Sequence, residues 1–503
     1  MPRGDADPVG WTVERQRSLR SMDREEEDGC QRPSPDDATR ATARLSAAMA
    51  TATKETAMVA YLLLTGLVAV ACSVVNSLSL VLLAGLTSFQ LFSNENKTTA
   101  ARHRQSVEGV ETSNAAKKRK DNSKQKAKET DAEVDESEQL QSLPLQKVTA
   151  VAQEFYIPFD KICLFLCIVA ANCAAHVFCV LKGWKGNSLL VSLATVSLGI
   201  TAHAIMRSAY KTRTLNVMES ILSIPSVTFT GIIAYYVLLC LPESWNNFRL
   251  KEAVEKASPT IQDYFESRGF GGDIRVNYTT VAGALSAMAG VVSGLLLIPA
   301  TRTMRCYLLA VNPPAWGKEL VAARGLKRVL LHVSVLAPFY TTALLIEPLG
   351  QALGISTPEW QRTKPVLLIA CAILMILPLR QNLQSYLNSA LIVWNEAKQG
   401  KKLENKLYLE VTKLKLQFKL HSLCAIGVQL LGPALIILIF GAVALVCDPS
   451  GLGQAMAALK DKPLLPVDLW YAGASFLGWW AVASWSVFCG AFSLLYMLGH
   501  AQL

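Results

Sequence analysis

Charge is scarce in this chain. Of its 503 residues only 17% are Asp, Glu, Lys or Arg, against 51% hydrophobic residues, and the mean hydropathy is +0.29. A soluble chain of this length would divide into roughly two to four domains and carry more charge on its surface. Catalytic signatures are also missing. There is no HExxH, no GK[ST] follows the glycines Gly269, Gly271 and Gly272, and no GxSxG comes with an acid and a histidine to serve it. Zinc hydrolase, P-loop and nucleophile-elbow chemistry therefore have no residues to carry them, and the expectation is a protein that is not an enzyme and needs no cofactor. A disulfide framework is lacking too. Ten of the twelve cysteines lie in or beside apolar runs, where a thiol packs as a small apolar group. Cys163, Cys167, Cys173, His176 and Cys179 invite a metal reading. On a helix they spread round most of the circumference, with only Cys173 and His176 adjacent, so no metal site is expected from this segment.

Long hydrophobic runs are what the chain has in quantity. Spans are expected at 58–75, 161–181, 188–206, 215–241, 278–300, 328–349, 365–389, 421–447 and 469–498, about nine at some 20 apolar residues each. The fold class expected is all-α, a polytopic transmembrane helix bundle. Residues 1–57 are polar, hold both acids and arginines, and cannot build a core, so they read as disordered. Residues 58–92 are too long for one straight span, and Asn76, Ser77 and Ser79 mark a break between a first span and a helix at the membrane surface, the alternative being a tight two-helix hairpin that would reverse the side of the N-terminus. Residues 93–157 read as a disordered linker with a basic cluster at Lys117–Lys128 followed by an acidic patch, and 158–503 form the main bundle.

The formal net charge is +10, yet it does not imply nucleic acid. The cations concentrate in short connections: Arg207, Lys211 and Arg213; Arg302, Arg305, Lys318, Arg324, Lys327 and Arg328; and Arg380 with Lys398 to Lys419. These connections alternate across the spans in a way that puts all of them, with Lys117–Lys128, on the cytosolic side. Anionic lipid headgroups are their expected partners. Asn277 then carries a glycosylation sequon on the opposite side. Leu403, Leu407, Val411, Leu414 and Phe418 follow helical spacing, with lysines on the other faces, which predicts an amphipathic helix lying at the cytosolic interface. Gly290 and Gly294 make a GxxxG pattern suited to close helix packing within the bundle or to dimerisation.

The runs LRQNLQSYLNSA (379–390), LLHVSVLAPF (330–339), IPATR (298–302), VQLLGP (428–433) and FLGWWA (476–481) occur in one order and spacing. In these the chain resembles the transmembrane protein 161 family of multi-pass membrane proteins, from about residue 58 onward. The resemblance implies an integral membrane protein of the endomembrane system or plasma membrane, affecting ion balance or excitability, with a channel or other membrane protein as a partner. A secondary transporter and a structural scaffold are the competing readings.

The candidate site is a polar stripe. At about 100° per residue Arg380, Gln384 and Asn388 share a face, with Gln381 beside them, and a guanidinium at the bilayer centre costs roughly 2.5 to 3.5 kcal/mol. The stripe is expected to face protein or water, as a polar intramembrane seam with Glu219 as the first acid to consider. His332 and Arg302 join it because, with Arg380, they match the family pattern.

Overall fold

The computed structural model describes residues 59–72, 78–93, 138–181, 189–211, 217–242, 248–269, 276–352, 354, 356–399, 406–448 and 467–499. The expectations for residues 1–57, for the basic cluster and for most of the linker lie outside these. The fold is that of the compact unit Ala60–Leu503.

Helix α1 (Val59–Cys72) is followed by α2 (Leu78–Leu83), strand β1 (Thr87–Ser93), strand β2 (Glu138–Pro144) and α3 (Lys147–Val151). The bundle then runs through α4 (Tyr156–Leu181), α5 (Leu189–Lys211), α6 (Val217–Cys240), α7 (Leu250–Ser267), α8 (Tyr278–Val311) and the short α9 (Lys318–Val321). It closes with α10 (Leu326–Leu344), α11 (Glu347–Ala352), α12 (Thr357–Ile376), α13 (Leu379–Gln399), α14 (Lys406–His421), α15 (Leu423–Val446) and α16 (Val467–Met497).

Among the described residues six helical segments are long and apolar enough to cross a membrane: Tyr156–Leu181, Leu189–Tyr210, Tyr278–Val311, Glu359–Lys398 (α12 with α13), Leu423–Val446 and Val467–Met497. Val59–Cys72 and Ile224–Cys240 are apolar but shorter. α10 (19 residues), which carries Lys327, Arg328 and His332 in its first half, falls outside both sets. The expected nine spans are therefore not reached among the described residues, although the all-α class stands.

The segment expected as a surface helix ends after one and a half turns. Gly85 takes a left-handed φ of 72°, the conformation that terminates helices at lowest cost in glycine. TSFQLFS then extends as β1 and pairs antiparallel with β2, Thr87 opposite Pro144 and Ser93 opposite Glu138. The presumed linker thus contributes β2 and α3, and α4 begins inside it at Tyr156 rather than Lys161. Thr and Phe suit a pleated surface, and the pairing partner lies about fifty residues away, beyond the reach of a local pattern.

α15 is the centre. Every residue of it is buried, and α4, α5, α12, α13 and α16 pack round it. Small residues let them close: a Cβ on Gly427 would meet the Phe159 ring at 2.8 Å, and one on Gly441 would meet Ile369 at 3.0 Å. The GxxxG pattern serves packing inside the chain, since a Cβ on Gly290 of α8 would lie 2.5 Å from the Val227 carbonyl oxygen and 3.1 Å from Gly231 Cα on α6. Hydrogen bonds join the helices where side chains are polar. Trp480 Nε1 donates to Ser293 Oγ at 2.8 Å, Ser293 and Ser484 hydroxyls meet at 2.9 Å, and Tyr471 donates to the Gln361 carbonyl at 3.1 Å. Asn172 Nδ2 donates to Thr65 Oγ1 at 3.1 Å, fastening α1 to α4.

Prolines act as their chemistry requires. Pro225, Pro338 and Pro433 sit within α6, α10 and α15. Pro378 falls between α12 and α13, because a residue without an N–H that also crowds the preceding turn interrupts the ladder.

Candidate functional site

α13 is polar on two sides, and each side meets a different neighbour. On the first, Arg380 is exposed and its Nη2 donates to the Ala84 carbonyl at 2.9 Å. This guanidinium closes over the turn between α2 and β1: a Cβ on Gly85 would lie 3.2 Å from Nη2. One turn on, Gln384 Oε1 accepts from Thr87 N at 2.9 Å, while Nε2 reaches Thr87 Oγ1 at 2.6 Å, Thr87 O at 3.2 Å and Asn388 Oδ1 at 2.8 Å. A carboxamide presents the same donor and acceptor pair as a peptide group, so Gln384 continues the β ladder from the helix side. Asn388 is buried and receives the second bond. Gln381 is half-buried and its carbonyl accepts from Ser385 Oγ at 2.9 Å.

The remaining candidates lie elsewhere. His332 Nδ1 meets the Tyr307 hydroxyl at 2.8 Å, edge to face, and ties α10 to α8. Arg302 is buried on α8. Glu219 stands on α6, which packs mainly against α8, and its side chain lies outside the described residues. Asn277 caps α8, its side chain accepting from Thr279 N at 3.5 Å. Among the described residues no group of three or more His, Cys, Asp or Glu side chains is placed to hold a metal ion.

The second polar side of α13, about 140° to 240° round from Arg380, carries Ser385, Tyr386 and Ser389. With Arg302, Arg305, Cys306 and Leu309 of α8 and Phe418 and Lys419 of α14 they line a cavity of about 150 Å³. Lys419 Nζ donates to Ser389 Oγ at 2.7 Å and stands 5.1 Å over the Tyr386 ring, whose hydroxyl meets Ser422 Oγ at 2.7 Å. A smaller annex of about 70 Å³ adds Ile392, Val393 and Glu396. Burial first, then Arg305 and Arg302, hold the Lys419 ammonium down at about 8, against the opposite pull of Cys306 and Glu396. Arg305 and Lys419 were visible in the sequence only as cations of separate basic loops, and Tyr386 as one residue of a motif. Their convergence had no local signal.

α14 differs from the simple amphipathic expectation in which face it buries. Thr412 and Leu416 point inward, while Val411, Leu414 and Phe418 are exposed. Leu403 and Lys402 lie outside the described residues.

Several helices long and apolar enough to cross a membrane, packed round the wholly buried α15, define an integral, multi-pass membrane protein. The chain matches the family model described as predicted transmembrane protein 161AB over residues 57–447. It belongs to that family. No solved structure matches it.

Proposed function

We propose that this is a non-catalytic membrane protein that influences ion balance or excitability by associating with a channel or other membrane protein, rather than by carrying solute itself. The observation that supports this reading is that the α13 stripe is engaged by the α2–β1 segment. Gln384 is engaged on both sides of its carboxamide by Thr87 and Asn388, and Arg380 by the Ala84 carbonyl. A solute path would need such groups free to engage solute or water, whereas here they hold a strand. The effect on ions follows the implication of the family resemblance.

The test has two arms. The purified full chain in sealed liposomes is screened for ion and small-solute flux, and the same chain is expressed in cells while whole-cell currents and co-purifying membrane proteins are measured. Altered currents without flux in liposomes are the expected result. Flux by the purified chain alone, abolished by Gln384→Leu, overturns the reading in favour of a transporter.

A further inference from the structure

A larger cavity, of about 430 Å³, lies between α5, α8, α15 and α16. It sits at the Asn277 end of the bundle, where Thr280, Trp470 and Val443 each stand within the first or last four residues of α8, α16 and α15. No charged side chain lines it. Only Thr195 and Thr280 bring side-chain oxygens, and the Thr195 hydroxyl is turned back to the Ser192 carbonyl of its own helix at 2.8 Å. The cavity opens sideways. Thr280, Ala284 and Met288 succeed one another by turns along one face of α8 and are exposed, as are the nearby Val196 and Val291. In a membrane span such a face meets hydrocarbon, so the cavity continues the lipid-facing surface into the bundle.

We propose that this cavity binds a sterol that enters from the bilayer, its fused rings in the slot and its hydroxyl toward the Asn277 end. Size selects first. Thr280 to Met288 on α8 and Leu469 to Leu477 on α16 each span about 12 Å at 1.5 Å per residue, so 430 Å³ leaves a mean section of roughly 35 Å². One extended acyl chain, its carbons in contact at roughly 4 Å, fills about half of that section. A fused ring system spans it. Shape agrees, because Ala284 on α8 and Gly473 and Ala474 on α16 carry little or no side chain and leave those sides of the slot flat. Met288, on the rim, is flexible enough to close on an irregular edge. The competitors are other lipids. All of them already lie in hydrocarbon, so transfer from water decides nothing, and packing and conformational freedom remain. An acyl chain loses rotamers when it settles in a preformed slot, whereas fused rings have none to lose. Thr280 and Trp470 stand at the depth of the interface and carry a hydroxyl and an indole N–H, the groups with which a sterol's single hydroxyl pairs.

The site stands apart from the proposed role in ion balance, and its test reads binding alone. The full-length chain is reconstituted in phosphatidylcholine nanodiscs that contain a cholesterol analogue with a photoactivatable diazirine on its rings. A second set contains instead a phosphatidylcholine with the diazirine in an acyl chain. After irradiation the labelled peptides are mapped by mass spectrometry. The sterol probe is expected to label residues 280–288 and 469–477, and an excess of unlabelled cholesterol to remove most of that label. Ala284→Phe, which sets a ring into the slot from an exposed position, should lower the labelling roughly tenfold, and Gly473→Leu should do the same from α16. Val196→Phe, on the neighbouring lipid-facing surface, should leave it unchanged. Sterol label that unlabelled cholesterol does not displace from the wild-type chain, or that spreads evenly over the exposed faces of the spans, overturns the proposal without recourse to any variant. Labelling of the same residues by the acyl probe, undiminished by cholesterol, assigns the cavity to lipid chains and overturns it too. The proposal also fails if both filled variants elute as wild type on gel filtration and keep the sterol label.

Discussion

Gln384 of α13 and Thr87 of β1 exchange hydrogen bonds as two strand residues would, N–H to Oε1 at 2.9 Å and Nε2 to carbonyl at 3.2 Å, although one of the pair is a helix side chain. They are 297 residues apart in the chain. Through this contact and Arg380, the α2–β1 segment is held against the bundle that forms later in the sequence.

Gln384→Leu should loosen β1. It leaves the Thr87 N–H and the Asn388 side chain without their partner, at a cost of about 1 to 3 kcal/mol. Hydrogen exchange is expected to rise at residues 87–93 with the α15 core still protected. Equal protection in wild type and variant would show that the strand does not depend on this contact.

Arg380→Lys is expected to weaken the same clasp by a smaller amount, about 0.5 to 1.5 kcal/mol, because an ammonium cannot keep the planar guanidinium's approach to Ala84 over Gly85. Arg380→Leu should insert at least as well as wild type, since a cation is removed. Membrane-fraction yield and exchange at residues 84–88 check both statements.

Gly290→Leu should separate α6 from α8. Its Cβ alone would come within 2.5 Å of the Val227 backbone oxygen, and overpacking costs typically about 1 to 3 kcal/mol. A lowered melting temperature in detergent is expected for Gly290→Leu and, less severely, for Gly290→Ala. Unchanged stability with altered oligomer size would assign the pattern to association between chains instead.

Lys419 links stability to pH. Its folded-state pKa, about 8, lies below the ordinary 10.5, so between these values the unfolded chain binds more protons and stability rises with pH. The cost of the buried cation is present in full below pH 8 and is relieved from there to about pH 10.5. Facing it are Arg302, Arg305 and Cys306 from α8 and Tyr386 and Glu396 from α13. Lys419→Met is expected to remove the pH dependence in this window and to raise stability near neutral pH by on the order of 1 to 3 kcal/mol. Thermal denaturation from pH 7 to 10 reads the stability effects.

Orientation is open to a direct measurement. An impermeant maleimide should label Lys120→Cys, above the background of the unsubstituted chain, only from the cytosolic side, with Asn277 on the other. Asn277→Asp would remove the sequon while keeping an N-cap residue on α8, so any loss of glycan can be read without a change in fold. Labelling of position 120 from the outer side would invert the topology.

Most of the bundle is legible from the residues alone. Apolar length identifies α4, α5, α8, α12 with α13, α15 and α16, because a helix that crosses hydrocarbon must be long and uncharged whatever it touches. The stripe Arg380, Gln384, Asn388 is equally visible, since side-chain spacing on a helix is fixed by 3.6 residues per turn. What the stripe holds was decided elsewhere. A polar face states that lipid is excluded without naming the neighbour, and Thr87 reaches it only after Gly85 turns the chain and β2 returns from within the linker. Hydropathy likewise could not single out α15 as the buried centre, because in a membrane protein a helix apolar on every side suits lipid and core alike. Its contacts with Phe159, Ile369 and their neighbours settle that. The basic cavity is the clearest case: Arg305, Tyr386 and Lys419 come from three helices, and only their packing brings the charges together.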